Sequence, residues 1–186
     1  MRFFIALEIP EENKQQLREV QKKLQQIIPQ ANLTDSNKLH LTIAFVGEQP
    51  EELKEKLTKV LEKAVEAMSP FEVTPAYIDG FPKLHHPHTL WVGVKGDIDK
   101  LLILREKVKD GLMDLNLDVD ERRFIPHIAI VKLTDFYLSE VQELELEKIM
   151  AVNFSPIKIT SIKLFESVPD EDFHTHNTLA EIPLEG

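Results

Sequence analysis

Residues 39–46 read LHLTIAFV and residues 126–133 read PHIAIVKL, two short runs with a histidine near the start of each. Apolar residues recur at every second position in both runs, which is the period of a β-strand with one face in a protein core. His40 and His127 are 87 residues apart. The two runs therefore indicate that one structural unit occurs twice in the chain.

The segments around these runs repeat in the same order. FIALEIP at 4–10, LHLTIAFV and FEVTPAYIDGF at 71–81 correspond to LWVGVKG at 90–96, PHIAIVKL and FSPIKITSIKLF at 154–165. Ala6 and Gly93 are also 87 residues apart, so we interpret the pattern as a duplication. Apolar stripes with helical spacing predict helices at 11–28, 50–68, 97–115 and 139–150, and a last strand is predicted at 178–182.

These elements predict an α+β fold in one domain over residues 1–186. We expect two similar lobes, at about 1–88 and 89–186, and leave open an exchange of strands between them. Mainly antiparallel sheets should line a central cleft, with the helices outside.

The charge balance restricts the binding partners. The chain of 186 residues has 22 Lys plus Arg against 32 Asp plus Glu, a formal net charge of −10. Such acidity disfavours duplex DNA and anionic membranes, which both attract basic proteins. The chain has no cysteine, which excludes thiolate catalysis and disulfides and fits a reducing compartment. With no signal peptide or long apolar run in the sequence, we expect a cytoplasmic monomer.

Strand alternation places each histidine on the face opposite the core. His40, Thr42 and Ala44 should share one face of their strand, and Leu41, Ile43 and Phe45 should face the core.

In the second run, His127 and Ala129 should share a face, with Ile128 and Ile130 buried. A duplicated fold would bring the two histidines to symmetric positions across one cleft.

Two imidazoles in one cleft favour acid–base chemistry on a phosphodiester. One neutral ring can take a proton from the attacking oxygen, and one protonated ring can deliver a proton to the leaving oxygen. A lone histidine would more simply be a strand residue without a role, but the pair reverses that preference. Neither histidine has acidic ligands nearby in its motif, so we predict no metal and no cofactor.

The motifs HLTI at 40–43 and HIAI at 127–130, the approach RRFIPH at 122–127 and the opening MRFFIALEIP resemble the two-histidine (2H) phosphoesterases. They are most similar to the LigT-like RNA 2',3'-cyclic phosphodiesterases, historically called 2'-5' RNA ligases. The resemblance implies a hydrolase that opens 2',3'-cyclic phosphates on RNA ends or small nucleotides to 2'-phosphomonoesters. It implies His40 as the proton donor to the leaving group and His127 as the proton acceptor that activates water. It also implies that Thr42 and Lys132 bind phosphate.

Two positions depart from that family pattern. Ala129 stands where the second motif has Thr or Ser, and Lys132 stands where the family tends to have Arg. A lysine keeps the charge but loses the forked contact of a guanidinium. We therefore expect a weakened or retuned phosphate site. A nucleotide-binding regulatory module with attenuated catalysis remains an alternative, as does a 2'-5' phosphodiesterase or ligase-like activity.

Other polar and aromatic residues have simpler interpretations. The loop with His85, His86 and His88 resembles a metal cluster, but a solvated turn, which could border the cleft, is favoured. His174 and His176 have the same two interpretations.

Phe81 and Trp91 could stack on a base, although core packing is favoured. Arg122 and Arg123 could hold phosphate, although a solvated surface is favoured.

Overall fold

The computed structural model describes residues 1–120, 122–169 and 174–186, with His174 described by its backbone only. Within these ranges the chain forms nine strands, four α-helices and one turn of 3₁₀-helix at Ser36–Lys38. In chain order they are β1 Arg2–Glu8, α1 Glu11–Ile27, β2 Asn32–Leu33, β3 His40–Glu48, α2 Leu53–Ala64, β4 Phe71–Phe81, β5 Thr89–Gly96, α3 Ile98–Asp114, β6 His127–Lys132, α4 Glu140–Ile149, β7 Ile157–Ile159, β8 Ser161–Pro169 and β9 His174–Pro183.

The strands form two antiparallel sheets. The first sheet has the order β3-β1-β8-β9, and the second has the order β2-β6-β5-β4-β7. Each sheet combines strands from both halves of the sequence, because β8 pairs with β1 and β4 pairs with β5. The predicted α+β class with antiparallel sheets is confirmed.

One face of each sheet is covered by a pair of helices. Helices α2 and α3 contact each other and the first sheet, and α1 and α4 contact each other and the second sheet. A hydrogen in place of a side chain at Gly111 of α3 allows α2 to approach closely, since a Cβ there would lie 2.5 Å from Cγ1 of Val60. None of the helices in the described part of the chain has the length and apolarity that a membrane span requires.

The helix positions follow the sequence patterns, with differences at the ends. Helix α4 begins with a capping box, in which Ser139 and Gln142 exchange hydrogen bonds with each other's backbone. Asp97 holds the N-cap position of α3, but its carboxylate accepts from the backbone N–H of Glu72 rather than from the helix. Helix α2 is shorter than predicted, and Ala67 beyond it has a positive φ of 56°, outside the helical region.

The segment 157–165 does not form the single strand predicted from the sequence. Ile157–Ile159 pairs with β4 in the second sheet, whereas Ser161–Pro169 pairs with β1 in the first. Apolar residues alternate at 157 and 159 and again at 162 and 164, so the phase of the alternation shifts by one residue at Thr160 and Ser161, where the chain changes sheets.

The register corrects one detail of the duplication. His40 lies opposite Glu8 in the first sheet, and His127 lies opposite Gly93 in the second. The counterpart of Gly93 is therefore Glu8, 85 residues earlier, rather than Ala6. His127 follows its partner Gly93 by 34 residues, whereas His40 follows its partner Glu8 by 32.

Candidate active site

A β-bulge follows the first histidine motif. In β3 the pairing passes from Thr42 opposite Ala6 to Ala44 opposite Ile5, which leaves Ile43 as an extra residue. The alternation therefore changes phase. Leu41 and Ile43 are buried, as predicted, but Ala44 joins the core and Phe45 is 73% exposed, so the prediction for these two residues is wrong.

The second motif has a bulge at the equivalent place. In β6 the pairing passes from Ala129 opposite Trp91 to Val131 opposite Leu90, which leaves Ile130 as the extra residue. Ile128, Ile130 and Val131 are all buried, and Lys132 is exposed.

The phase change returns Lys132 to the strand face of His127 and Ala129. Phe45 occupies the same place in the first motif, 87 residues earlier. The duplicated fold thus presents a phenyl ring at one site and an ammonium group at the other.

His40 lies in an aromatic cluster on the face of the first sheet that is turned away from the main core. Its imidazole centroid is 4.7 Å from the ring of Phe165, 5.5 Å from His176 and 6.1 Å from Phe4, and the residue is 8% exposed. Burial, followed by the neighbouring His176 and Lys14, lowers the pKa of His40 to about 4. The imidazole is therefore neutral in the free protein at neutral pH.

His127 is half-buried and has a defined hydrogen-bonding state. Its Nδ1 lies 2.8 Å from the carbonyl oxygen of Ile125, and a carbonyl only accepts, so Nδ1 carries a hydrogen. In the neutral ring Nε2 is then the acceptor. Burial lowers the pKa of His127, and the bond to Ile125 offsets part of that effect.

Each imidazole packs against a phenylalanine that lies two strands away from its own strand in the sheet. Phe165 of β8 contacts His40, and Phe81 of β4 lies edge-on to His127 with 4.9 Å between ring centroids. Trp91 adds a second ring near His127, with 5.5 Å between centroids. These rings restrict both imidazoles and desolvate them.

Strands of both sheets line one cavity of about 770 Å³. Its walls include Thr42 and Phe45 of β3 together with His127 of β6. Two further residues of β3, Ile43 and Ala44, also line it. The rest of the wall comes from the end of β4, the start of β5, α3 and the segment before β6, namely Phe81, Pro82, His88, Thr89, Arg105, Val119, Asp120, Arg122, Arg123, Phe124 and Ile125. His40 is not part of this wall and lies two residues before Thr42 on the same strand face.

The other candidates from the sequence are divided between cleft and surface. His88 lines the cavity, whereas His85 is exposed and His86 stacks on Tyr137 with 3.9 Å between ring centroids. Among the residues that the structure describes, no group of three or more His, Asp or Glu side chains is arranged to hold a metal ion. The side chain of His174 lies outside the described part of the chain.

Trp91 is buried, as predicted. Phe81 lines the cavity, so its assignment to the core is wrong. Arg122 and Arg123 are exposed, as predicted, but both border the cavity.

Sequence reasoning assigned Phe45 to the core and did not single out several other residues of the cavity wall, Arg105 among them. Phe45 reached the wall through the bulge at Ile43, for which the sequence gives no signal. Arg105 did have a signal, because it stands four residues after Leu101 and three before Val108, on the core-facing stripe of α3.

Two antiparallel sheets, each presenting a histidine on a bulged strand next to a shared cavity, are the arrangement of the two-histidine phosphoesterases. The family model of the 2'-5' RNA ligase superfamily matches residues 33–171, and the chain belongs to this family.

Relatives of known name span nearly the whole chain. A Thermotoga maritima protein named RNA 2',3'-cyclic phosphodiesterase is 28% identical, and the alignment covers 100% of this chain and 97% of that protein. A Methanocaldococcus jannaschii protein of the same name is 26% identical, with 90% of this chain and 91% of that protein covered.

Solved structures have the same fold. A Thermus thermophilus protein matches with a TM-score of 0.79 at 21% identity, covering 100% of this chain and 99% of that one. Escherichia coli LigT matches in its apo form with a TM-score of 0.78 at 18% identity, and in complex with 3'-AMP with a TM-score of 0.76 at 16% identity. Both LigT matches cover 100% of this chain and 98% of that one.

Proposed function

We propose that this protein is an RNA 2',3'-cyclic phosphodiesterase that hydrolyses the cyclic phosphate to a 2'-phosphomonoester. The observation that carries the proposal is the placement of His127 and the Thr42 hydroxyl in one cavity that both sheets line. The family membership and the names of the Thermotoga and Methanocaldococcus relatives support it. The LigT complexes with 3'-AMP and with phosphate support a site of nucleotide size.

His127 has the properties of a general base. Its lowered pKa keeps the ring neutral at neutral pH, and the bond from Nδ1–H to the Ile125 carbonyl leaves Nε2 to accept a proton. Water activated by Nε2 would attack phosphorus while Nδ1–H keeps its bond to the carbonyl, which stabilises the imidazolium as it forms.

His40 is the proposed general acid, and its proton must be acquired with the substrate. The free imidazole has a pKa of about 4 because of its burial. A phosphodiester carries a negative charge, and an opposite charge within a few ångströms raises the pKa of an imidazole. The bound cyclic phosphate would thus favour the imidazolium that delivers a proton to the leaving oxygen.

Thr42 and Lys132 are the proposed phosphate ligands. The Thr42 hydroxyl lies in the cavity wall and can donate to a non-bridging oxygen as charge develops there. Lys132 is exposed on the strand face of His127 and can supply a positive charge at the edge of the site. The acid–base chemistry is provided by this chain's own side chains.

The decisive experiment is hydrolysis of 2',3'-cyclic nucleotides and of a short RNA with a cyclic phosphate end, in EDTA. His40→Ala and His127→Ala should each lower kcat by at least about 100-fold, the usual worth of a positioned proton transfer. His85→Ala is the matched control, because His85 is exposed and outside the cavity wall. Activity that survives both active-site substitutions contradicts the proposal.

Product analysis tests the leaving group. We expect a 2'-phosphate, which identifies the 3' oxygen as the leaving oxygen, and a 3'-phosphate contradicts this assignment. A panel with 2'-5'-linked dinucleotides separates the hydrolase from a 2'-5' phosphodiesterase or a ligase-like activity that would use the same residues.

The acidity of the chain supports RNA ends and small nucleotides as substrates rather than duplexes. With a formal net charge of −10, the protein lacks the excess of cations that releases many counterions from a long backbone. We propose a monomer that acts in the cytoplasm; a chain without cysteine fits a reducing compartment. A large gain in affinity with RNA length at physiological salt would count against this substrate range.

A nucleotide-binding module with weak turnover is the second candidate. It is favoured by Ala129, which brings no hydroxyl to the second motif, and by Lys132 in place of a guanidinium. Calorimetry that finds tight binding of mononucleotides without hydrolysis would support the module over the enzyme.

A further inference from the structure

The cavity wall contains a buried cation with donors left over. Arg105 of α3 is 7% exposed and lines the cavity together with His127 and Thr42. Its Nη2 donates to the backbone carbonyl of Asp120 over 3.0 Å. Nε and Nη1 are buried and have no hydrogen-bond partner among the residues that the structure describes. A guanidinium has five N–H donors, so most of the hydrogen-bonding capacity of Arg105 is unused.

The carboxylate of Asp120 is hydrogen-bonded to Arg122, whereas Arg105 bonds the Asp120 backbone carbonyl. Asp120 holds Arg122 through bonds of 3.0 Å from Nε to Oδ1 and 2.8 Å from Nη2 to Oδ2, and also accepts from the Arg122 backbone N–H. That pairing lowers the pKa of Asp120 to about 2. Among the described residues, Arg105 has the bond to the Asp120 carbonyl and the ring face of Phe124, 5.3 Å from its Cζ, and the charges of Asp120 and Glu106 act to raise its pKa.

Burying a charge without a paired counter-ion is unfavourable, and an apolar side chain of similar size at this position would make the folded protein more stable. An arginine stays protonated even where burial lowers its pKa, as it does here, so the positive charge persists. An oxyanion in the cavity would satisfy both the charge and the unused donors. Arg123 in the same wall adds a positive charge, in a protein that is acidic overall, whereas the charge of Arg122 is paired with Asp120.

We propose that Arg105 is a phosphate-binding residue of the cleft, and that it supplies from α3 the forked guanidinium contact that Lys132 does not supply from β6. This inference rests on the proposed function only in that the ligand is a phosphate of a nucleotide or RNA end. Nε and Nη1 of Arg105 are both buried in the free protein, so a phosphate reaches them only when the groups packed over them move.

The test is the binding of inorganic phosphate and of 2'-AMP to the intact protein, by calorimetry and by the fluorescence of Trp91. This residue is the single tryptophan of the chain and lies 5.5 Å from His127. We expect Arg105→Met to weaken phosphate binding by about 10- to 100-fold, because charge-assisted bonds to a phosphate are lost. Arg105→Lys should retain the charge but not the fork, and should weaken binding by about tenfold. Arg18→Met on the exposed face of α1 is the matched control.

Thermal melting without ligand separates binding from a structural role. A ligand residue predicts that Arg105→Met melts at or above the temperature of the unmodified protein and loses the upward shift that phosphate causes. If Arg105 has a purely structural role through its contacts with Asp120 and Phe124, Arg105→Met should melt at a lower temperature and bind phosphate with unchanged affinity. That result overturns the proposal. If the Met variant does not fold, the phosphate affinity of Arg105→Lys decides in its place.

Two substrates identify which phosphate is bound. If Arg105 contacts the reacting phosphate, Arg105→Lys weakens the binding of a 2',3'-cyclic mononucleotide and of a cyclic-ended dinucleotide equally. If it contacts the next phosphate of the RNA, only the dinucleotide is affected. Loss of phosphate affinity in a protein that hydrolyses neither substrate would refute the proposed function but leave this inference intact. Phosphate binding that does not depend on Arg105, or no phosphate binding in the unmodified protein, refutes the inference.

Discussion

The burial of His40 predicts a loss of stability in mild acid. The folded protein binds a proton at His40 only near pH 4, whereas the unfolded chain binds it near pH 6.5. Between these values the unfolded state holds more protons, so acid favours unfolding and stability rises with pH. The free energy of unfolding is therefore not reduced by His40 above about pH 7. It decreases progressively as the pH falls towards 4.

The size of the effect follows from the shift. A change from 6.5 to about 4 corresponds to about 3 kcal/mol over the whole window, of which about 2 kcal/mol is lost by pH 5. With a urea m-value of about 2 kcal/mol/M, the unfolding midpoint should fall by about 1 M between pH 7.5 and pH 5. The lowered pKa of His127 acts in the same direction in this window, whereas those of Glu11 and Asp120 contribute only at more acidic pH, because unfolded carboxyl groups titrate near 4.

The assay is urea unfolding, followed by circular dichroism at pH 7.5, 6.5, 5.5 and 5.0. His40→Gln removes the titrating group and should reduce the acid loss by about 2 kcal/mol, while His85→Gln, at an exposed position, should leave it unchanged. The same pH dependence in His40→Gln as in the unmodified protein would refute the reasoning. So would an NMR titration of the His40 ring with a midpoint near 6.5.

Three further predictions concern the second sheet and the pH profile. Because the pKa values of both free histidines are lowered, the kcat/KM for a 2',3'-cyclic nucleotide should peak between about pH 4 and 6.5, and a maximum above pH 7.5 contradicts the assignment. Ala129→Ser should raise kcat/KM by about 10- to 100-fold, because it restores a hydroxyl that can bond to a charged group. Ala129→Thr should raise it less, because Trp91 lies directly opposite. Steady-state kinetics that rank the Thr variant above the Ser variant refute this reasoning. Gly93→Ala should lower the free energy of unfolding by about 1–3 kcal/mol, because its Cβ would lie 2.2 Å from Cζ of Tyr77, and Tyr77→Ala in the same chain should recover most of the loss in urea unfolding.

Much of the fold could be predicted from the sequence because periodicity reports burial directly. The stripe with Leu17, Val20 and Leu24 predicted α1, and those residues are buried. The two histidine strands and the antiparallel sheets were predicted in the same way. The change of sheet was missed although Thr160 and Ser161 interrupt the alternation there, because strand partners are chosen by long-range hydrogen bonds, which a local pattern does not report.

The candidate site was predicted only in part, and the bulges explain why. Strict alternation placed Phe45 in the core, and the extra residue Ile43 turned it to the cavity instead. The bulge at Ile130 likewise brings Lys132 to the face of the second histidine, where strict alternation would have turned it to the core. A bulge depends on which backbone groups pair across the sheet, and neither strand contains a glycine at the extra position to signal it.

The duplicated histidines differ because the residues opposite them differ. Glu8 lies opposite His40 and forms an ion pair with Lys163, and its charge acts to raise the pKa of His40 against the larger effect of burial. Gly93 lies opposite His127 and brings no side chain, so the proton affinity of His127 is set by burial and the Ile125 carbonyl. Under the proposed function, only His40 therefore has a carboxylate neighbour that helps a bound substrate to protonate it. The facing residue is thus one of the differences between the two copies of this strand pair that bear on their proposed roles as acid and base.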